Sequence, residues 1–215
     1  MSHIKNFIIL KKKILSLNPD VNILVVSKNQ TMDKLKPLIN MKQIHFGENK
    51  VQEARLKWNN TKANFIDLKL HFIGNLQSNK AKDAFEIFDY IHSLDNEKLA
   101  KIFNQLESNS DKKIKYFVQV NLGNEEQKSG VKIERVGEFI KFCSLDLKLN
   151  IIGLMCIPPV SANAEQFFKK LAELSKKNNL LDLSMGMSND YEDAIKHGST
   201  YVRIGSRIFN GEIIE

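Results

Sequence analysis

The sequence predicts an α/β protein, a single (β/α)8 TIM barrel with an extra N-terminal helix, spanning residues 1–215 as one domain. Three observations predict it. Strand-like and helix-like segments alternate from end to end, the strand-like ones number eight, and no G-x-G-x-x-G follows the first of them. Such alternation implies right-handed βαβ units with parallel strands, and eight units point to closure rather than to an open doubly wound sheet. The 4 prolines and 10 glycines sit mainly at strand ends and loops, and no Pro-, Gly- or Ser-rich linker divides the chain.

The elements follow in order. An opening helix is expected over residues 2–17, and then the first strand, NILVVSK at 22–28. Its run Ile23, Leu24, Val25, Val26 has the continuous apolar character of a strand buried on both faces. A helix near 31–40 leads to the second strand, QIHFG. The amphipathic NKVQEARLKW follows, in which Val51, Ala54 and Trp58 recur at helical spacing. LHFIG and DYIHS are the third and fourth strands, each followed by a polar helix, the second of these at 95–108. The fifth strand is the β-rich IKYFVQV, separated by a loop at 123–130 from the helix IERVGEFIKFC. LNIIGLM, LDLSMG and TYVRIG complete the eight, with helices at 164–178 and 190–197 between them.

Composition narrows the functional classes. Apolar residues make up 42% and charged residues 27%, as in an ordinary soluble globular chain. Lys and Arg number 32 against 25 Asp and Glu, and the net charge of +7 favours anionic partners. Apart from the lysines at 11–13, however, the charges are scattered and often lie beside acids, as at 111–113. They lack the aromatic interleaving of a single-strand-binding groove, so no nucleic-acid role is expected. Cys143 and Cys156 form no C-x-x-C or zinc spacing, which argues against a disulfide framework and fits a reducing compartment. The N-terminal apolar run is only four residues long and is followed by charges, and no later segment approaches a membrane span. A cytoplasmic location without membrane attachment is expected.

In a (β/α)8 barrel the chemistry sits at the carboxyl ends of the strands. There the sequence delivers Lys28, Glu48 with Asn49, Gly74 with Asn75, His92 with Ser93, Asn121, Met155 with Cys156, SMGMS at 184–188 and RIGS at 203–206. Loops after the seventh and eighth strands are where barrels commonly hold a phosphate. Gly186 and Gly205 permit close backbone approach, while Ser188 and Ser206 offer hydroxyls near helix starts. Either pair alone reads equally well as a strand-to-helix turn with a serine N-cap, and the coincidence of two pairs raises the phosphate reading. Arg203 either points into the pocket as a permanent donor or forms a partly exposed ion pair, and the sequence leaves both open. His45, His71 and His92 read as satisfied barrel-wall residues. With no H-x-H or H-E-x-x-H spacing, no metal site is expected.

Lys28 in isolation reads as a solvated strand-end lysine. Beside a phosphate it has two further uses, neutralising that charge or forming a Schiff base with a carbonyl. A ligand that combines aldehyde and phosphate is pyridoxal 5′-phosphate (PLP).

At these residues the sequence resembles the YggS/PROSC family of pyridoxal phosphate homeostasis proteins, which share the alanine racemase N-terminal barrel. The resemblance rests on VVSK at 25–28, FGEN with VQE at 46–53, HFIGNLQSNK at 71–80, IHSLD at 91–95, QVN through KSG at 119–130, GLM at 153–155, LSMGMSND at 183–190 and GSTYVRIGS at 198–206. It covers nearly the whole chain. It implies that Lys28 carries PLP as an internal aldimine, that Ser188, Gly205 and Ser206 hold the phosphate, that Arg203 faces the pyridine nitrogen and that Asn49 lies near the cofactor. The chain departs from the family pattern at Asn29 and Gln30, where a threonine and a lysine are common, and over SRIFN at 206–210.

The resemblance also implies a role in intracellular PLP homeostasis without catalysis, with PLP as ligand, PLP-dependent apoenzymes as recipients and a monomeric state. An arginine facing the ring cannot accept a proton and so weakens PLP as an electron sink. Racemases of this fold add a second domain carrying another acid or base, and the chain continues for nine residues after Ser206, too few for that domain. A small PLP-dependent racemase is the alternative reading, and a phosphate-binding barrel enzyme that forms a Schiff base without PLP is the third.

Overall fold

Eight strands of four to seven residues close into one ring, and each carries a run of residues buried on both faces, apolar in most strands and including His45, His71, His92 and Ser184 in others. The computed structural model describes residues 2–62, 64–123, 125, 128–159 and 163–210. Positions 124, 126 and 127 of the loop expected over 123–130, together with residue 1 and residues 211–215, lie outside the described residues.

The chain runs α1 (Ser2–Leu17), β1 (Asn22–Val26), α2 (Met32–Asn40), β2 (His45–Glu48), α3 (Val51–Lys62), β3 (Lys69–Phe72), α4 (Ala81–Ile87), β4 (Tyr90–Leu94) and α5 (Glu97–Ser108). It continues through β5 (Lys115–Asn121), the two-residue β6 (Val131–Lys132), α6 (Val136–Lys141), β7 (Asn150–Met155) and α7 (Ala164–Lys177). It ends with β8 (Asp182–Met187), α8 (Tyr191–Lys196), β9 (Tyr201–Ile204) and α9 (Ser206–Phe209). All the pairings are parallel. The order β4-β3-β2-β1-β9-β8-β7-β5, closed by β4 against β5, makes the eight-stranded barrel, and β6 adds only to the edge of β5.

Two apolar layers result. The larger lies between strands and helices. It takes in Trp58, Phe46, Phe72 and Phe103, and on α1 the residues Phe7, Leu10 and Ile14, which recur on one helical face. Each such side chain contributes on the order of 1.5–3 kcal/mol by leaving water. The smaller layer lies within the barrel and consists of Tyr90, Phe117, Met155 and Tyr201. Helix α1 packs against α9, α2 and α8, with Asn6 Nδ2 donating to Ile208 O at 3.5 Å, and so ties the N-terminal helix to the chain's last described element.

The expected eight strands and the opening helix are present. Four local differences have physical causes. The first strand ends at Val26 rather than at Lys28. The Ser27 amide still donates to Gly47 O at 2.9 Å, but Asn29 takes φ 59° and the Gln30 amide folds back to Ser27 O at 3.1 Å, which makes a turn. The helix expected over 133–143 is instead a 3₁₀ turn (Ile133–Arg135), α6 and a π turn (Phe142–Asp146). Strand β6 and helix α9 are too short to have a periodicity of their own. Among the described residues no helix is long and apolar enough to cross a membrane.

Candidate functional site at the carboxyl end of the barrel

Strand adjacency decides which sequence-predicted residues meet. The neighbours β2, β1, β9 and β8 lead respectively into Asn49, Lys28, the Arg203 to Ser206 segment and Ser188, so the six candidates lie at the ends of four consecutive strands. Register brings them closer. Val26 faces Gly47 and Val25 faces Ile204, which sets Lys28 between Asn49 on one side and Gly205 on the other. A Cβ added at Gly205 would meet Val26 Cβ at 3.1 Å, so the β1 and β9 backbones approach closely where the lysine emerges. Ser188 reaches the same place, its Oγ accepting a long 3.5 Å bond from the Arg207 amide. Ser188 is buried, Gly205 is half-buried and Ser206 is exposed.

Gly186 serves geometry rather than contact. It sits in β8 with φ +87° at a register shift between β8 and β9, and a Cβ there would stand 2.5 Å from Ala194 Cβ. Only glycine takes this position without strain, and the resulting bend turns Met187 and Ser188 toward β9. The turn is closed by Asp190 Oδ1, which accepts from the Met187 amide at 2.6 Å.

The Lys28 side chain is exposed, and among the described residues nothing bonds its amine. Its backbone, by contrast, is fixed from below. Glu48 is fully buried, and its Oε1 accepts from Ser27 Oγ at 2.7 Å, Lys57 Nζ at 2.9 Å and Trp58 Nε1 at 2.9 Å. Lys57 Nζ also donates to Ser27 O at 2.7 Å and to Glu53 Oε1 at 2.8 Å, and Glu53 Oε1 accepts from the Asn29 amide at 2.6 Å. Burial opposes the charge on Glu53, but the bonds from Lys57 and Asn29 outweigh it and hold its carboxyl below the usual range. Sequence reading placed Glu48 at the strand end without a role and Trp58 only as core. The signal available was a glutamate ending a strand that is buried along its whole length.

The structure fixes what sequence left open about Arg203. It is 4% exposed and among the described residues pairs with no acid, so the partly exposed ion pair is corrected. Nη1 donates to Ser184 O and to Ser184 Oγ, both at 2.8 Å, and Nη2 donates to Cys156 O at 2.9 Å. Three of the five guanidinium N–H donors are thereby engaged, which leaves donors for a ligand. Ser184 and Cys156, the residues that aim this side chain, were visible in sequence only as strand-end positions. Burial pushes the Cys156 thiol up to about 12, so it stays protonated.

The histidines meet one another. His45 Nδ1 lies 2.8 Å from His71 Nε2, His71 Nδ1 lies 2.8 Å from His92 Nε2, and His92 Nδ1 lies 2.8 Å from Ser184 Oγ. Burial lowers all three. His45 falls to about 4, with Lys69 and Lys115 adding to the effect, and His71 and His92 lie well below the ordinary value. The rings are therefore neutral at pH 7. Asn49, half-buried, joins the six least closely, since it also lines a neighbouring cleft with Gln52, Phe72 and Asn75. A second cleft of about 320 Å³ opens on the same face among Gly74, Gln119, Asn121 and Ile157, and none of the six lines it.

Comparison with known proteins agrees with the barrel fold. The family model described as alanine racemase, N-terminal domain, matches residues 6–212. The pyridoxal phosphate homeostasis protein of Haemophilus influenzae is 37% identical over 199 residues, covering 88% of this chain and 84% of that protein. The pyridoxal phosphate homeostasis protein of Aquifex aeolicus is 38% identical over 197 residues, covering 87% and 85%. Among solved structures, PipY of Synechococcus elongatus, determined with PLP bound, superposes with a TM-score of 0.85 at 31% identity and covers 98% of this chain and 100% of that one. With the barrel, its closure and these matches in agreement, the chain belongs to the alanine racemase N-terminal domain family and, within it, to the pyridoxal phosphate homeostasis proteins.

Proposed function

We propose that this protein binds PLP through Lys28 and serves intracellular PLP homeostasis, holding and releasing the cofactor without turning over a substrate. The observation that carries the reading is the grouping of an unbonded lysine amine, a buried arginine with unused donors and two serine-bearing loops on four consecutive strand ends. The residues suit the group. The Lys28 amine meets the aldehyde, Ser188, Gly205 and Ser206 take the phosphate, Arg203 donates to the ring nitrogen, and Asn49 borders the ring. When bound, PLP supplies an aldehyde and a ring able to draw electrons from an adjoining carbon.

Arg203 supports the absence of turnover. Its guanidinium donates a hydrogen bond and keeps its proton, so a ring nitrogen facing it stays unprotonated and draws electrons weakly. The names of the relatives, homeostasis proteins rather than enzymes, point the same way. We place the protein in the cytoplasm as a monomer, with PLP-dependent apoenzymes as recipients. Two free buried cysteines fit a reducing compartment.

The test is to incubate the PLP-loaded protein with L-alanine and L-serine in D2O, and separately with an apo-aminotransferase. Reactivation of the aminotransferase, with deuterium entering Cα no faster than with free PLP, is the expected result. Deuterium incorporation at an enzymatic rate would instead establish a racemase.

A further inference from the structure

The four groups behind Arg203 make a continuous hydrogen-bonded chain whose polarity follows from its Arg203 end, since among the described residues the Ser184 hydroxyl contacts only Arg203 and His92. Arg203 cannot accept, so its Nη1 donates to Ser184 Oγ. The serine hydrogen then has a partner in His92 Nδ1, 2.8 Å away. A ring that accepts at Nδ1 while neutral carries its hydrogen on Nε2, so His92 Nε2 donates to His71 Nδ1, and His71 Nε2 donates to His45 Nδ1. In this register each contact holds one hydrogen, and one N–H is left over, at His45 Nε2. His45 is the first residue of β2, at the amino end of the barrel, and it is 8% exposed where His71 and His92 are fully buried. Neutral rings are required throughout, because burial disfavours a charged imidazole here.

The surroundings keep the chain dry. Tyr90 stacks on His71 with ring centroids 4.0 Å apart, Phe117 stacks on His92 at 4.3 Å, and Tyr201 meets His45 edge-on at 5.7 Å. In such a low-dielectric sleeve, aligned hydrogen bonds polarise one another. Lys69, Lys115 and Asp89 are the charged groups felt at the outer end.

We propose that Ser184, His92, His71 and His45 are a positioning relay for Arg203, with all three rings in the Nε2–H form, and that the relay couples the ligand-facing guanidinium to the amino end of the barrel. The relay holds the guanidinium at one fixed orientation, and a change in what the guanidinium bonds on its ligand side is transmitted to His45. Coupling of this kind is reciprocal, so a change at His45 is also felt at Arg203. The coupling to PLP rests on the functional reading above, whereas the ring register does not.

The experiment is 15N NMR of the full chain labelled at histidine. Without PLP at pH 7.5, the expected spectrum shows three neutral Nε2–H rings, with couplings across the His92–His71 and His71–His45 hydrogen bonds. An Nδ1–H form at any of the three, or loss of either coupling, overturns the relay. PLP is then added. In the wild type the 15N resonances of His92, His71 and His45 all move, and in Ser184→Ala the shift at His45 falls at least severalfold. An equal shift at His45 in that variant assigns the effect to the general field of the ligand and overturns the coupling. Ser184→Thr, which keeps the hydroxyl, is expected to restore the shift. Should Ser184→Ala not fold, His71→Phe gives the same reading at His45. A wild type that gains no PLP absorbance band contradicts the functional reading and the coupling drawn from it, while the couplings of the unloaded protein still decide the register.

Discussion

Lys28 and Arg203 are the two nitrogen groups that the proposed function assigns to one ligand, and the protein holds them in opposite ways. At Lys28 the backbone is fixed and the side chain is free. Ser27 and Asn29 on either side are bonded into the Glu48, Lys57 and Glu53 network, while the amine itself reaches solvent. At Arg203 the side chain is fixed, by two bonds to Ser184, one to Cys156 O and a line of histidines behind Ser184. The contrast fits a carrier. Under the proposed function, the group that forms and releases a covalent bond sits on an exposed arm with a rigid base, and the group that orients the ring is built into the core.

Acid breaks the arginine side first and gives the largest effect. His45, His71 and His92 are neutral when folded and have depressed values, whereas in the unfolded chain they take up protons below about pH 6.5. The unfolded state therefore binds the extra protons, so their contribution is complete above about pH 6.5 and is lost as pH falls. The slope is on the order of 1.4 kcal/mol per ring per pH unit. For His45 it ends near pH 4, its folded value. Urea denaturation from pH 7.5 to 5 is expected to show this loss, and substituting His45 by Phe is expected to flatten it.

Glu48→Ala breaks the lysine side. It leaves Trp58 Nε1 without its acceptor and Lys57 with only Glu53 and Ser27 O, and is expected to cost about 2–4 kcal/mol, read as a drop in denaturation midpoint. Gly186→Ala follows at about 1–3 kcal/mol, from a positive φ and from crowding against Ala194. Lys28→Ala is expected to change stability by less than about 0.5 kcal/mol, since the side chain is exposed and unbonded. The pair Glu48→Ala and Lys28→Ala sharpens the contrast, because one residue serves the base and the other only the ligand.

Sequence reading recovered the barrel because alternating apolar and amphipathic segments follow from local physics, and NILVV or KYFVQVN needs no partner to be read as a strand. It placed Lys28, Ser188 and Gly205 together at the carboxyl ends of neighbouring strands because strand order alone says which residues follow each strand of a barrel. It read the histidines correctly as satisfied barrel-wall residues but did not reach what register decides. His45, His71 and His92 sit in similar phrases on successive strands, but only the stagger of β2, β3 and β4 brings nitrogen to nitrogen at 2.8 Å. The aim of Arg203, which the residues alone left open, is set in the same way. Its inward aim depends on Ser184 across the β8–β9 shift, a bend set by Gly186 rather than by any periodicity.

The central claim is that the Lys28 amine is the point at which PLP is held. Borohydride reduction of the PLP-loaded protein, followed by peptide mapping, tests it most directly. The account predicts one pyridoxyl group per chain on the peptide carrying Lys28, absent from Lys28→Ala. A reduced adduct mapped to another lysine of the wild type, or no adduct after treatment with PLP, would contradict it.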